Sequence, residues 1–367
     1  MVLLGKTAYS KYACACCQTV LAAPMPAQVI DKGLPAPGLL AQVVVAKHDD
    51  HLPLYRQEEI YRCSSAHIPR SSLAQWVGIC GVRLEPLAAA LKQHLLEQPV
   101  LHADETPVAE LKPGHGKTHR AYVWVYGAAD TVVYDYCGSR AGEHAREFLG
   151  GWSGTLVVDD FSGYKALFAG GTIRKAGCWA HARRKFFEAH KLTDSALAAE
   201  ALERIGELYR IEQDIREMEP DERQRRRRQD SQPRLQALHA WMLERRAQLA
   251  KADATARAID YTVGRWAALS VFATDAAVPI DNNAAERAVR PLALGRKNWL
   301  FVGSRQAGER AAVLMSLIES AKLCGHGPWA YLKDVLTRLP TWPNSRLLEL
   351  LPHRWTAPTA PPAAAPT

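Results

Sequence analysis

The segment Thr155-Leu-Val-Val-Asp159 is a run of apolar, β-favouring residues that ends on an acid. Such a run is typical of a strand that is buried on both faces of a sheet. Residues 143–149 before it have the composition of a helix, which Gly150 and Gly151 would end. The segment therefore predicts a helix followed by a buried strand whose carboxyl end carries Asp159.

Three further strand candidates precede this helix: Val100-Leu-His-Ala-Asp104, Ala121-Tyr-Val-Trp-Val-Tyr126 and Thr131-Val-Val-Tyr-Asp-Tyr136. Gly127-Ala-Ala-Asp130 lies between the last two and predicts a hairpin. The order of strand, hairpin, helix and buried strand is that of the ribonuclease H-like α/β fold. Functional sites in α/β sheets collect at the carboxyl ends of strands, which is where we place Asp104 and Asp159.

Each of these two acids is followed by a second acid, Glu105 after Asp104 and Asp160 after Asp159. Neighbouring side chains on a strand point to opposite faces, so only one member of each pair can face a common site. The members of each pair are therefore alternatives and not additional ligands.

The sequence before this unit predicts a small helical domain over residues 31–98. Its apolar residues recur every three or four positions, and Pro53 and Pro69 break the pattern into short helices. Residues 1–30 precede this domain. The α/β unit itself spans residues 99–323.

A helical insertion is expected inside the α/β unit at about residues 194–275, with a charged interruption at Glu219–Arg228. The unit then closes with three elements: a helix near Asn283–Val289, a short strand Asn298–Val302 and an amphipathic helix Gln306–Leu323. A helical segment, residues 324–355, and a disordered Pro/Ala tail, residues 356–367, follow.

Composition favours a globular protein with a polyanionic partner. The apolar content of 48% is enough for a large core, and 46 Lys and Arg against 38 Asp and Glu leave a net charge of +8. The eight cysteines lack the dense spacing of a secreted disulfide framework, which favours the cytoplasm. The sequence contains neither a run long enough to span a membrane nor an export signal.

Four ordered blocks carry a specific resemblance: His102-Ala-Asp-Glu-Thr-Pro107, Val158-Asp-Asp-Phe-Ser-Gly-Tyr164, Cys178-Trp-Ala-His-Ala-Arg-Arg-Lys-Phe-Phe187 and Asp281-Asn-Asn-Ala-Ala-Glu-Arg-Ala-Val-Arg-Pro291. They look like the blocks of the insertion-sequence-66 family of DDE transposases. The similarity runs from about Lys11 through Trp355, so it covers nearly the whole chain.

The resemblance implies that Asp104, Asp159 and Glu286 are the three catalytic acids. They would hold two Mg²⁺ or Mn²⁺ ions about 3.5 to 4 Å apart, as two-metal phosphoryl transfer requires. The enzyme would cleave double-stranded DNA at element ends and join the freed 3′ hydroxyl to target DNA. The resemblance also implies a homo-oligomer on DNA, possible accessory proteins of the same element, and a place at the nucleoid.

Each acid also has a purely structural interpretation. Asp104 could cap a turn before Pro107, and Asp159 could form an Asx-turn with the residues after it. Glu286 fits a capping box with Asn283 and an i, i+4 ion pair with Arg290.

Basic and aromatic residues that flank the acids in sequence are predicted to contact DNA phosphates and, for the tryptophan, an unpaired base. They are Arg183, Arg184, Lys185, Arg287, Arg290, Arg296, Lys297 and Trp299. Taken singly, each could instead belong to a solvated helix face or to the core. Arg225–Arg228 is a further phosphate-binding candidate, or a solvated loop.

Two cysteine patterns resemble elements of this family. Cys178-x-x-His181 resembles a recurring element of DDE transposases, but zinc takes four ligands, so packing is the favoured role. Cys14 and Cys17 resemble half of the zinc-binding segment of the family, and no second pair precedes them. We therefore expect no stable zinc site. Residues 1–30 are expected to be a remnant of this segment, in a chain that starts inside it and lacks the DNA-binding region before it.

Two other functions stay open. A truncated derivative could bind DNA or regulate a full-length relative without catalysis. A ribonuclease H-like nuclease would use the same carboxylates to cut DNA without joining it.

Overall fold

A five-stranded mixed sheet lies at the centre of the computed structural model, which describes residues 11–22, 25–31, 33–112, 114 and 116–358. A separate two-stranded hairpin precedes it. The strands are β1 (Lys11–Ala13), β2 (Val20–Ala22), β3 (Val100–Leu111), β4 (Thr118–Gly127), β5 (Val132–Cys137), β6 (Gly154–Val157) and β7 (Ile173–Ala176). The central sheet has the order β5-β4-β3-β6-β7.

The sheet is antiparallel on one side of β3 and parallel on the other. β3 pairs with β4, and β4 with β5, in antiparallel register, whereas β6 and β7 continue the sheet in parallel. The predicted order of strand, hairpin, helix and buried strand is confirmed. The strand β7, which sequence analysis did not predict, follows β6 and covers its outer edge.

Helices cover both faces of this sheet. They are α1 (Pro37–His48), α2 (Leu54–Cys63), α3 (Arg70–Leu96), α4 (Gly142–Leu149), α5 (Lys165–Phe168), α6 (Trp179–Thr193), α7 (Ala196–Asp214), α8 (Pro220–Arg226), α9 (Gln232–Ala247), α10 (Ala254–Val263), α11 (Trp266–Leu269), α12 (Asn283–Trp299), α13 (Arg305–Leu323) and α14 (Pro328–Arg338). The mixed α/β class is therefore confirmed.

The N-terminal helices share a core with the C-terminal ones. Leu40 of α1 and Leu84 of α3 belong to the same buried cluster as Leu317 of α13 and Tyr331 of α14. The helices α1 to α3 begin and end close to Pro53 and Pro69, as predicted from the proline positions. The domain boundaries themselves stay a prediction.

Helix α13 also protects the edge strand of the sheet. The backbone amides of Val132 and Tyr134 in β5 donate hydrogen bonds of 2.9 Å to the hydroxyls of Ser320 and Ser316. An unpaired edge strand would otherwise offer these amides to another chain.

The segment predicted as an insertion contains helices α7 to α11, as expected, while its being an insertion stays a prediction. Its charged run continues the helices, because residues 220–228 lie in α8 and in the π-helical turn Arg227–Ser231 that joins it to α9. Pro220 at the first helical position suits an N-terminus, and arginine is a good helix former. Ile205, Trp241 and Ile259 of this segment share a core with Val157 of β6 and Phe186 of α6.

Two predicted element boundaries are wrong. β3 does not end at Asp104 but continues to Leu111, because its antiparallel pairing with β4 extends over ten residue pairs. Pro107 is tolerated there since β3 pairs with β6 only as far as His102. The predicted strand Asn298–Val302 starts inside α12, and only Val302 forms a β-bridge, with Glu110.

The two ends of the chain are described in part. Cys14, Cys16 and Cys17 lie in the turn between β1 and β2, where their sulfur atoms are all within 4.8 Å of one another. Most of the predicted disordered tail, residues 359–367, lies outside the described residues, as do residues 1–10 of the predicted zinc-segment remnant. Within the described ranges, no helix is both long enough and apolar enough to cross a membrane.

Candidate active site

Asp104 and Asp159 lie just past the parallel pairing of two adjacent strands. His102 and Val157 are the last parallel pair between β3 and β6. Asp104 follows two residues after His102, and Asp159 two residues after Val157. The two acids are 55 positions apart in the sequence but lie at the same end of two neighbouring strands.

The pKa of Asp104 shows which charges surround it. This pKa is raised from 3.8 to about 7, first by burial and then by the negative charges of Glu105, Asp159 and Glu286, while the hydrogen bond from the Glu105 amide lowers it. That amide donates a 2.8 Å hydrogen bond to Asp104 Oδ1. The three acids predicted from the sequence thus share one electrostatic environment.

Glu105, the alternative to Asp104, is occupied by protein groups. Its side chain is only 1% exposed, and it accepts hydrogen bonds from Arg140 Nε at 2.8 Å and from the Tyr164 hydroxyl at 2.9 Å. Both carboxylate oxygens therefore have partners. Glu105 is held as a buried ion pair, which leaves Asp104 as the acid available for a cation.

Asp160, the alternative to Asp159, is also neutralised. It accepts a 2.9 Å hydrogen bond from Lys175 Nζ and forms an ion pair with Arg265. Burial alone would raise the pKa of Asp160, but these two cations hold it below its ordinary value. Asp159 forms the predicted Asx-turn, in which its Oδ1 accepts from the Phe161 amide at 2.9 Å.

Glu286 lies in the first turn of α12, but not as a capping residue. Asn282 is the N-cap and makes no side-chain capping bond, and Asn283 bonds to Asp281 instead. The carboxylate of Glu286 lies 3.5 Å from His181 Nδ1 and 3.6 Å from an Arg184 nitrogen. The capping-box interpretation and the ion pair with Arg290 are therefore wrong.

A buried asparagine, which sequence analysis missed, connects the start of α12 to β3. Asn282 Oδ1 accepts from His102 Nδ1 at 2.8 Å, and its Nδ2 donates to the Ala103 carbonyl at 2.9 Å. Its backbone amide donates to Cys178 Sγ at 3.2 Å. Asn282 and its three partners all belong to the sequence blocks that contain or flank the acids. Membership of these blocks was the signal that could have identified Asn282.

The residues present fit the binding of divalent cations. Carboxylate oxygens are the ligands that Mg²⁺ and Mn²⁺ prefer. Glu286 Oε1 is buried without a hydrogen-bond partner among the described residues. The like charges around Asp104 also require neutralisation, which cations would supply. Asp104, Asp159 and Glu286 are thus the side chains that could hold the ions.

Cys178 and His181 adjoin this cluster. The Cys178 thiol is buried, and its sulfur accepts a hydrogen bond from the Asn282 amide, which is compatible with the predicted packing role. Donor atoms of Cys178, His181 and Glu286 also lie within 4.8 Å of one another. The Cys-x-x-His element therefore supports the start of α12 from the side of α6.

The predicted DNA-contacting residues occupy two helices. Arg183, Arg184 and Lys185 are exposed on α6, and α12 exposes Arg287, Arg290 and Lys297. Two others are engaged with the protein: Arg296 donates to the Pro107 carbonyl, and Trp299 packs against the cluster between the sheet and α13. DNA contact stays a prediction for all eight.

Arg227 differs from its neighbours in the run Arg225–Arg228. Its side chain is 3% exposed and pairs with Glu212, with nitrogen-to-oxygen distances of 2.8 and 2.6 Å. It also donates to the carbonyls of Phe272, Asp275 and Val278. Arg227 is therefore a buried structural residue. For this residue both earlier predictions, a phosphate contact and a solvated loop, are wrong.

Comparison with known proteins identifies the relatives of this chain. The family model described as "Transposase IS66 family" matches residues 32–310, and "IS66 C-terminal element" matches residues 316–353. The uncharacterized protein y4jD of Sinorhizobium fredii (strain NBRC 101917 / NGR234) is 36% identical over 370 residues, which cover 96% of this chain and 72% of the relative.

A second uncharacterized protein of the same strain, y4hP, is 33% identical over 375 residues, covering 95% of this chain and 68% of the relative. No solved structure matches the chain.

Proposed function

The chain belongs to the IS66 family of transposases, and from this premise we propose that it is a metal-dependent DNA transposase with Asp104, Asp159 and Glu286 as its catalytic acids. The family implies a role in transposition, with DNA as substrate and divalent cations as cofactors. The observation that carries the proposal is that Asp104 and Asp159 both follow the last parallel residue pair of two adjacent strands, with Glu286 among the charges that act on Asp104.

We assign the sheet and its helices to the ribonuclease H-like fold. The strand order β5-β4-β3-β6-β7, with β6 and β7 parallel to β3, supports this assignment. Asp104 follows the parallel part of β3 and Asp159 follows the neighbouring strand β6, at the strand ends where sites of α/β sheets collect.

The proposed reaction consists of two in-line displacements. Water attacks the phosphodiester at the element end and releases a 3′ hydroxyl, and this hydroxyl then attacks a phosphodiester of the target DNA. When bound, a pair of divalent cations supplies activation of the attacking oxygen and stabilisation of the leaving oxygen. No covalent intermediate with the protein is needed.

The chain's own residues position the acids. Asn282 joins the start of α12, the helix of Glu286, to β3, the strand of Asp104. Arg184 offsets part of the Glu286 charge. The exposed cations of α6 and α12 would hold the DNA phosphates next to the carboxylates. Such an enzyme accelerates the reaction mainly by positioning the substrate and by stabilising the charge of the transition state.

The test is a strand-transfer assay with Mg²⁺ and duplex DNA that carries the ends of the element. We expect Asp104→Asn, Asp159→Asn and Glu286→Gln each to lower the rate by at least about 1000-fold, since several kcal/mol of transition-state stabilisation are lost. Asp160→Asn is the matched control, because its carboxylate is already paired with Lys175 and Arg265.

The outcomes separate the proposal from its alternatives. Joined products that disappear in Asp159→Asn support a transposase. DNA that is cut but never joined identifies a nuclease, and DNA that is bound but never cut identifies a regulatory derivative. Equal activity of Asp159→Asn and Asp160→Asn would contradict the assignment of the acids.

A further inference from the structure

A second group of potential metal ligands lies outside the carboxylate cluster. His94 is in the last turn of α3, Asp130 is in the turn between β4 and β5, and His353 follows the 3₁₀ helix Asn344–Leu350. Donor atoms of these three side chains all lie within 4.8 Å of one another. Three segments that are distant in the sequence therefore meet at this point.

The contacts within the group are close but incomplete. His94 Nε2 lies 3.5 Å from Asp130 Oδ2, which is beyond a good hydrogen bond. The two imidazole rings stack with their centroids 3.7 Å apart. His94 Nε2 and His353 Nδ1 are buried, and neither has a hydrogen-bond partner among the described residues. Leaving buried nitrogens unpaired is costly, so a missing partner is the simplest explanation.

We propose that His94, Asp130 and His353 bind one divalent transition-metal ion, of which Zn²⁺ is the representative. Two imidazoles and one carboxylate form a ligand set that zinc accepts, with water in the fourth position. Both imidazoles must be neutral to donate a lone pair to the metal.

Binding requires a small rearrangement. The ring planes differ by only 19°, so their lone pairs do not converge in the stacked arrangement. Rotation of one ring about its last side-chain torsion would direct both nitrogens toward Asp130, and this torsion is broad in histidine. Glu97 lies 3.7 Å from His94 Nδ1, on the other side of the ring, where it would orient the imidazole.

The ion would fasten the C-terminal segment to the rest of the protein. His353 lies between the buried residues Leu351 and Trp355, whereas His94 and Asp130 belong to α3 and the β4–β5 hairpin. The unfolded chain does not hold these three side chains together. Metal binding would therefore stabilise the folded state in proportion to the logarithm of the metal concentration.

The experiment is a Zn²⁺ titration of the full chain by calorimetry, with a thermal unfolding curve at each step. Cys14, Cys16 and Cys17 are replaced by Ser in every sample, so that their clustered thiols contribute nothing to the titration. Excess Mg²⁺ is present throughout, so that the carboxylate cluster contributes little. We expect one tight Zn²⁺ equivalent and a rise in the unfolding midpoint.

His94→Ala, His353→Ala and Asp130→Asn should each remove this equivalent and the rise in midpoint. Glu97→Gln should weaken Zn²⁺ binding by about 10- to 100-fold, as loss of an orienting group does. His190→Ala is the matched control, because His190 also lies near a carboxylate, 3.8 Å from Asp194, but has no third ligand. It should bind zinc as the parent does.

A second measurement does not depend on the variants folding. Paramagnetic Co²⁺ added to the Ser-substituted parent should broaden the ring resonances of His94 and His353 first. Asp130 is 42% exposed, so Asp130→Asn in particular should fold normally. Unchanged zinc stoichiometry and affinity in Asp130→Asn, or Co²⁺ broadening that spares both histidines, would overturn the proposal. Neither result would affect the assignment of the catalytic acids.

Discussion

Asn282 donates a 2.9 Å hydrogen bond to the carbonyl of Ala103, the residue immediately before Asp104. The two residues are 179 positions apart in the chain. Through this bond, and through the bond between Asn282 and His102, the helix that carries Glu286 is tied to the strand that carries Asp104. The relative position of these two acids therefore depends on one buried amide.

Asn282→Ala should lower both stability and turnover. It leaves the Ala103 carbonyl and the His102 ring nitrogen unpaired, at a cost of about 1–3 kcal/mol in the free energy of unfolding. Turnover at saturating DNA and Mg²⁺ should also fall, because Glu286 loses its fixed position. Denaturant unfolding and strand transfer measure the two effects. Asn283→Ala is the control, since Asn283 bonds only locally to Asp281, and equal behaviour of the two variants would refute the role of Asn282.

Asp104→Asn should stabilise the metal-free protein above neutral pH. The pKa of Asp104 is about 7 when folded, against an ordinary value of 3.8. Between these values the folded state holds the proton more tightly than the unfolded state, so stability falls as pH rises through this window. With chelator present at pH 8, we expect the variant to gain on the order of 1–2 kcal/mol.

The same comparison at about pH 3.5 is the internal control. Asp104 of the parent is mostly protonated in both states there, so the stabilisation by the variant should nearly vanish. A loss of stability in Asp104→Asn at pH 8 would instead indicate that the carboxylate supports the fold.

Cation binding should weaken in acid. A proton and a divalent cation compete for Asp104, so apparent Mn²⁺ affinity should fall by up to about tenfold for each pH unit below its pKa. Titration of Mn²⁺ followed by electron paramagnetic resonance, between pH 5.5 and 8.5, would measure this. Asp104→Asn should bind Mn²⁺ only weakly, and its remaining Mn²⁺ affinity should depend much less on pH. An unchanged profile in that variant would show that another group competes for the ion.

Arg227→Ala should be strongly destabilising, unlike the same change at Arg228. Removing the buried guanidinium leaves Glu212 and three carbonyls without a partner, and breaking a buried ion pair costs about 3–5 kcal/mol. Arg228 is exposed, so Arg228→Ala should change stability by less than about 0.5 kcal/mol. Denaturant unfolding compares them, and similar unfolding free energies would contradict the buried role.

The exposed cations of α12 should determine the salt dependence of DNA binding. Replacing Arg287, Arg290 and Lys297 together by Ala should reduce the slope of log affinity against log salt by up to about 2.7, or 0.9 for each phosphate contact. Fluorescence anisotropy with duplex DNA at several salt concentrations measures the slope. Replacing Arg216, Arg234 and Arg257, on the insertion, is a charge-matched control. An equal reduction in both triple variants would show that only net charge matters.

Much of the fold follows from local patterns in the sequence. The helix predicted over residues 143–149 is Gly142–Leu149, and it ends at Gly150 as expected. The strands of the predicted hairpin become β4 and β5. These predictions succeed because periodicity and turn residues act over a few neighbours, where the chain itself supplies the information.

Features that depend on distant partners were missed. In the sequence, nothing distinguishes Arg227 from the other three arginines of the run. In the structure it pairs with Glu212 and donates to carbonyls of residues 272–278. The full length of β3 depends on the ladder with β4, which continues after β6 has ended. In both cases the deciding contacts join residues that are far apart in the chain.

The amino-acid sequence by itself determined the class of fold, the family and the two acidic pairs from which the site is drawn. Only the tertiary structure decided which member of each pair is neutralised. Arg140, 35 residues from Glu105, pairs with that acid, and Arg265, 105 residues from Asp160, pairs with the other. Among the described residues Asp104 and Asp159 have no such cation, because an ion pair depends on spatial distance, which sequence separation does not reveal.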